Sequence, residues 1–325
     1  MTRKSFLFLL VTIAFVAATL AHAQPKKPFH VGVVHEGGDY DTIVEGLKEG
    51  LRQLGLEPGK DVLLDIRSVE GSRAAAAESA RSLEQAKVDL LYSLGTSVSI
   101  TAKAATTKVP IVFVAGGDPV AAGLVASLAR PGGRATGVHY LSVDLTAKRL
   151  EILKEALPNL RKIVTLYDPS NPVAAGTSIK LTREAARRLN IDVVERPVRS
   201  VVELRESFKA LAAKDADAYF YTPDAMVVSQ TQFIIDTARE KRLPTMVSQP
   251  DLVAKGALIG YGVNFYDIGQ LSAKYVQRVL TGTGPENLPV ESFSRLGLGV
   301  NLKTAHELGI TIPQSVLFRA DKVVE

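Results

Sequence analysis

Cysteine is absent from all 325 residues. That excludes a disulfide framework, a thiolate metal site and a cysteine-borne lipid anchor. A strong excess of either charge is missing too: 39 Lys and Arg stand against 34 Asp and Glu, a net charge of +5. Arg3 and Lys4 belong to the first 23 residues, and without them 37 basic residues face 34 acidic ones. The basic clusters Arg183/Arg187/Arg188 and Arg239/Lys241/Arg242 fall late in predicted helices, where cations complement the negative end of the helix dipole. No basic stripe interleaved with aromatics accompanies them, so nucleic acid is not an expected partner. The one long apolar run, Phe6–Leu20, is shorter than the roughly 20 residues a membrane span needs. Arg3 and Lys4 precede it and Ala21-His22-Ala23 follows it, which is the pattern of a signal peptide over residues 1–23 cleaved after Ala23. The expected location of the mature chain is the periplasm.

Catalytic patterns are also lacking. No G-x-G-x-x-G follows Val34, where Gly37-Gly38 has the wrong spacing for a dinucleotide site, and there is neither a P-loop nor a G-x-S-x-G elbow. His30, His35, His139 and His306 are scattered singly, with no i, i+3 or i+4 pair to aim two imidazoles at one metal. The two Gly-Gly-Asp triplets, 37–39 and 116–118, read as turns. The sequence therefore predicts no catalytic residue, no metal and no cofactor.

What is present is a regular alternation of short β-branched runs with longer amphipathic ones. Strands are expected at Phe29–Val34, Val62–Ile66, Leu90–Leu94, Ile111–Val114 and Thr136–Tyr140, with helices between them, the first capped by Asp39. A second series follows: helix Leu145–Leu157, strand Ile163–Tyr167, helix Ala174–Leu189, strand Asp192–Glu195, and helix Val201–Ala213 with a Ser200/Glu203 capping box. Further strands are expected at Ala218–Tyr221, Thr245–Val247 and Leu258–Tyr261, then a helix Leu302–Leu308 closed by Gly309 and a short strand near Val316–Arg319. Such repetition means α/β architecture with parallel sheets flanked by helices, and the 302 residues that remain after cleavage suggest two domains. The joints Ser142–Asp144, Asn264–Tyr266 and Gly282–Pro289 fall between units and read as three crossings between two lobes.

A polar or glycine-rich cluster recurs just after each strand, and in an open parallel sheet ligands bind at that carboxyl edge. Thr96 and Ser97 begin the predicted helix Val98–Ala105, and their hydroxyls and free amides suit a carboxylate. Asp118, Asp168 and Asp224 can accept from an ammonium or hydroxyl, and Tyr140 supplies a flat face with a polar tip. Asn171, Gln249 and Asn264 complete the candidate ligand-binding set. For each of these, a helix cap, a turn or a strand-end core position is the competing structural role.

Several motifs in order then carry a resemblance. The stretch Pro110–Val125, containing Gly116-Gly117-Asp118-Pro119, is followed by Arg130-Pro131-Gly132-Gly133, Gly256–Gly262, Leu288-Pro289-Val290-Glu291, Asn301–Pro313 and Arg319-Ala320-Asp321-Lys322-Val323. Together they resemble the ABC transporter substrate-binding family that includes tryptophan and tyrosine receptors, over essentially residues 29–325. The resemblance implies a type I periplasmic-binding fold of two Rossmann-like lobes, residues 28–142 with 265–288 and residues 143–264 with 289–325, closing on a small molecule. It implies that the Gly95–Ser97 loop, Asp118, the Asp168–Asn171 loop and Asp224 line the cleft. The expected partners are a small solute, an amino acid by the family's weight, and the ABC permease subunits in the inner membrane, with the receptor a monomer. Arg134, His139 and Asn264 depart from the residues common in that family. Two other functions use the same fold: a ligand-sensing input protein for a membrane signalling partner, and a secreted α/β enzyme. The second needs a nucleophile or metal that the sequence does not offer.

Overall fold

Runs that are apolar on both faces become strands buried on both faces, which is what a sheet covered by helices on each side requires. The computed structural model describes residues 27–325 apart from Pro172 and Ala213; the expected signal peptide lies outside the described residues. In the first half, β1 (Phe29–His35), β2 (Val62–Ser68), β3 (Leu90–Leu94), β4 (Ile111–Ala115) and β5 (Ala135–His139) pair in parallel. Every residue of β3 and β4 is buried. Helices α1 (Tyr40–Gln53), α2 (Arg73–Gln85) and α3 (Thr96–Ala105) connect the first four strands.

The chain then crosses to a second sheet. Helix α4 (Thr146–Ala156) leads into β6 (Lys162–Tyr167), a π-helical turn (Ala174–Ser178), α5 (Ile179–Arg188), β7 (Asp192–Pro197) and α6 (Val201–Lys209). β8 (Ala218–Phe220), α7 (Ala225–Ser229), α8 (Thr231–Glu240), β9 (Thr245–Val247) and β10 (Ile259–Gly262) follow. A helix of sixteen residues, α9 (Phe265–Leu280), returns to the first lobe, where it packs on α1. That packing is backbone to backbone: a Cβ at Gly46 would lie 2.0 Å from the carbonyl oxygen of Tyr266, so only glycine admits the approach. After β11 (Glu291–Ser292) the chain crosses a third time, to β12 (Gly297–Asn301), α10 (Leu302–Leu308), α11 (Gln314–Leu317) and β13 (Lys322–Val324). The first sheet has the order β11-β5-β4-β3-β1-β2 and the second β13-β12-β10-β9-β8-β6-β7. Only the β10–β12 pairing is antiparallel among the described residues.

The two α/β units and their strand sequence agree with the sequence reading, and four details differ. The segment expected as a strand at Val316–Arg319 is instead the helical turn α11, with the last strand six residues later. Pro313 sits at its N-cap, Val316 is buried and Phe318 is exposed, so the alternation a half-buried strand needs is missing. The chain does not leave the first sheet at residue 289, because Glu291 and Ser292 pair with Val138 and His139. Asp39 makes no side-chain cap on α1; its carboxylate pairs with Lys255 of the second lobe at 3.0 Å. The Ser200 hydroxyl accepts from the Glu203 amide at 3.1 Å as expected, but the Glu203 carboxylate takes the Arg199 amide, and α6 ends at Lys209, four residues before Ala213, which lies outside the described residues. No helix among the described residues is long and apolar enough to cross a membrane.

Candidate functional site

The carboxyl edges of the two sheets face each other, and the polar clusters that end the strands meet there. Helix α3 starts immediately after β3, so its first-turn amides have no intrahelical acceptor and point to the cleft. The Thr96 hydroxyl accepts from the Gly117 amide at 3.1 Å, which leaves its own proton free to donate. Ser97 is half-buried, and its hydroxyl makes no hydrogen bond among the described residues. Across the cleft, Asp224 caps α7. One carboxylate oxygen accepts from the Val227 amide at 3.2 Å, and the other from the Asp168 amide and the Asn171 side-chain amide, both at 3.1 Å. Burial pushes its pKa up to about 6 against those hydrogen bonds.

Thr96, Ser97, Tyr140, Asn171 and Asp224 line one narrow pocket, together with Tyr40, Gly116, Ser142 and Tyr221. Asp168 lines an adjoining space that shares Ser97, Asn171 and Asp224 with the first. The Asp168 carboxylate accepts from the Ser170 amide and hydroxyl. Asp118 borders a third space, more apolar, which meets the pocket at Gly116 and Val173. Two candidates stand apart from all three spaces. Asn264 caps α9, its carbonyl oxygen accepting from the Tyr266 and Asp267 amides and its amide donating to Asp251. Gln249 is buried, and its side-chain nitrogen has no hydrogen-bond partner among the described residues.

Four residues outside the candidate ligand-binding set are also placed at the cleft. Glu36, at the end of β1, is buried beside Asp224 and Asp168, and burial, helped by those two acids, pushes its pKa up to about 7. Its carboxylate accepts from the Gly71 amide. Tyr40 and Tyr221 are buried phenols held in their neutral form by desolvation. Arg149 lies under the pocket floor with 1% of its surface exposed. A sequence signal existed for it: positions 149, 152, 153 and 156 make the core face of α4, and a charged residue on such a face calls for a reason.

The lobes also touch each other directly beside the cleft. Arg73 donates to the carbonyl of Ser170, and a Cβ at Gly38 would lie 2.2 Å from the carbonyl oxygen of Ser229.

Comparison with known proteins bears on this geometry. A family model described as ABC transporter substrate binding protein matches residues 30–324. The chain is 28% identical over 286 residues to a tyrosine-binding protein of Clostridioides difficile, covering 87% of this chain and 81% of that one. It is similar to the structure of an ABC domain in complex with L-Trp from Streptococcus pneumonia, at 27% identity and a TM-score of 0.80, over 92% of this chain and 100% of the other. A ligand-free, open substrate-binding protein from Clostridium difficile, 25% identical over 91% of this chain and 99% of that one, superposes with a TM-score of only 0.59. At nearly equal identity, the lobe arrangement described above is thus nearer to the complex than to the open form.

Proposed function

This chain belongs to the ABC transporter substrate-binding protein family, and from that premise we propose that it captures an amino acid in zwitterionic form between its lobes and presents the closed complex to an ABC permease. The observation that carries this reading is the polarity of one pocket. Thr96 and Ser97, at the start of α3, offer donors at one wall, the buried carboxylate of Asp224 stands at the other, and Glu36 of the first lobe lies beside Asp224 in the adjoining space. A helix N-terminus favours a carboxylate, and an ammonium relieves the cost of two buried acids held close together. The relatives named for tyrosine binding and for a complex with L-Trp favour an aromatic amino acid.

The remaining parts of the proposal follow the sequence. The mature receptor begins at Gln24 and works as a monomer in the periplasm. Its lobes are residues 28–142 with 265–288 and residues 143–264 with 289–325, except that Glu291 and Ser292 extend the first sheet. Asp118 borders the apolar extension of the pocket, where the amino acid's side chain would lie. Gln249 and Asn264 act through the second lobe and the crossing rather than by touching the solute.

Calorimetric titration of L-tyrosine and L-tryptophan into the mature protein tests the reading. At least one binds, without turnover, and Thr96→Val weakens it by about tenfold, the worth of one hydrogen bond to a charged group. Conversion of the solute to a product, or tight binding of a solute with no amino group, overturns it.

A further inference from the structure

We propose that Arg149 lends its positive charge to the floor of the pocket and selects solutes that place a carboxylate there. This deepens the amino-acid reading above and rests on it. Arg149 stands in the first turn of α4, wholly enclosed. Its Nε donates to the carbonyl of Tyr261 at 2.8 Å and one terminal nitrogen to the carbonyl of Ser142 at 2.7 Å. The other terminal nitrogen lies 3.4 Å from the Ser142 hydroxyl, and the guanidinium sits 5.3 Å from the centre of the Tyr221 ring.

All of these partners are neutral, and no carboxylate pairs with Arg149 among the described residues. Carbonyls orient a guanidinium without cancelling its charge. Burial lowers the pKa only to about 10, so the group stays cationic at neutral pH. A buried charge without a counterion is costly, and the cost is offset when a ligand brings the anion.

The path from that charge to the pocket is one layer thick. Ser142, Tyr140 and Tyr221 all line the pocket. The Tyr221 phenol feels both Arg149, which favours its charged form, and Asp224, which opposes it, and Ser142 and Ser248 are polar neighbours that act on it too. Ser142 also donates its amide to the Gly116 carbonyl, while the next residue, Gly117, donates to Thr96. The Ser142 hydroxyl and the start of α3 therefore flank the same turn after β4. The pocket acquires a charge axis, cationic at this turn and acidic at Asp224.

The test is a ratio. Affinities for L-tyrosine and for L-tyrosinamide, which lacks the carboxylate, are measured by calorimetry on the wild type, Arg149→Gln and Arg149→Lys. In Arg149→Gln the affinity for the acid falls by about tenfold to a hundredfold while that for the amide changes little, and Arg149→Lys keeps part of the discrimination. An equal fall for both compounds overturns the proposal, because it shows that Arg149 only ties the crossing segments together. Should Arg149→Gln fail to fold, Tyr221→Phe and Ser142→Ala replace it: both leave the two carbonyl bonds of Arg149 in place, and a ratio unchanged in both overturns the proposal. A wild type that binds neither compound overturns the amino-acid reading instead. The solute that copurifies with it, identified by native mass spectrometry, then decides: an anion supports the role of Arg149 and a neutral or cationic solute ends it.

Discussion

The two walls of the cleft are built on opposite plans. On the second lobe the polar atoms are mostly spent on each other: Asp224 takes three donors, Asp168 takes two from Ser170, and the Asn171 carbonyl oxygen accepts from the Val173 amide. On the first lobe, Ser97 and the first amides of α3 hold donors in reserve, and Glu36 receives a single amide. A wall that satisfies itself is rigid before the solute arrives and contributes shape. One that keeps hydrogen-bonding capacity contributes contacts. Substitutions on the second lobe should therefore register first as lost stability, and those on the first lobe as lost affinity or as a change in its pH dependence.

The largest effect should come from Asp224→Ala. It removes a helix cap and strands the Asp168 amide and the Asn171 side chain, at a cost of roughly 3 kcal/mol in urea unfolding of the ligand-free protein. A loss under about 0.5 kcal/mol would break the contrast, by showing that the second wall does not depend on its own network.

Glu36→Gln sharpens the contrast through pH. The folded protein holds a proton on Glu36 up to about pH 7, whereas the unfolded chain releases it in the ordinary carboxylate range. The stability from that proton is complete below the unfolded pKa and is lost as pH rises through about 7. The variant should gain on the wild type by about 2 kcal/mol between pH 5 and pH 8. Buried His35 and His139, whose pKa values are lowered, act in the opposite sense but cancel in the difference. A difference that stays flat with pH would place Glu36 among ordinary surface acids.

The smallest effect belongs to Ser97→Ala. The unfolding midpoint should stay within error, because the hydroxyl has no partner to lose, while the affinity for L-tyrosine falls by about fivefold. A stability loss as large as that of Asp224→Ala would erase the distinction between the walls.

How far these walls were legible in the sequence follows the same division. A strand such as Leu90–Leu94 is bounded by residue type, a largely apolar run set between Asp89 and Gly95. Thr96 and Ser97 could be placed because a hydroxyl pair before an apolar helix marks an N-terminus. Asp224 was legible as a cleft residue, but not as one already bonded on both oxygens, since its partners lie 53 and 56 residues away in sequence. Glu36 and Tyr40 pass for a strand end and a helix core position until the second lobe is set against them. Asp39 reads as a cap by position, and only the three-dimensional approach of Lys255 takes its carboxylate elsewhere. The carboxyl-terminal turn at Gln314–Leu317 misleads for a local reason: its apolar residues are too few to separate a period of two from a period of nearly four.

The seat of Gly38 on the Ser229 carbonyl carries one more consequence. Two of the crossings leave β5 and β11 at one edge of the first sheet, while the third, at Asn264–Tyr266, enters against Tyr40 and Gly46 of α1, close to Gly38. Residue 38 is therefore a seat on which one lobe rests against the other, where a single methyl group acts as a doorstop. Alanine there would prop the lobes ajar without touching the pocket chemistry.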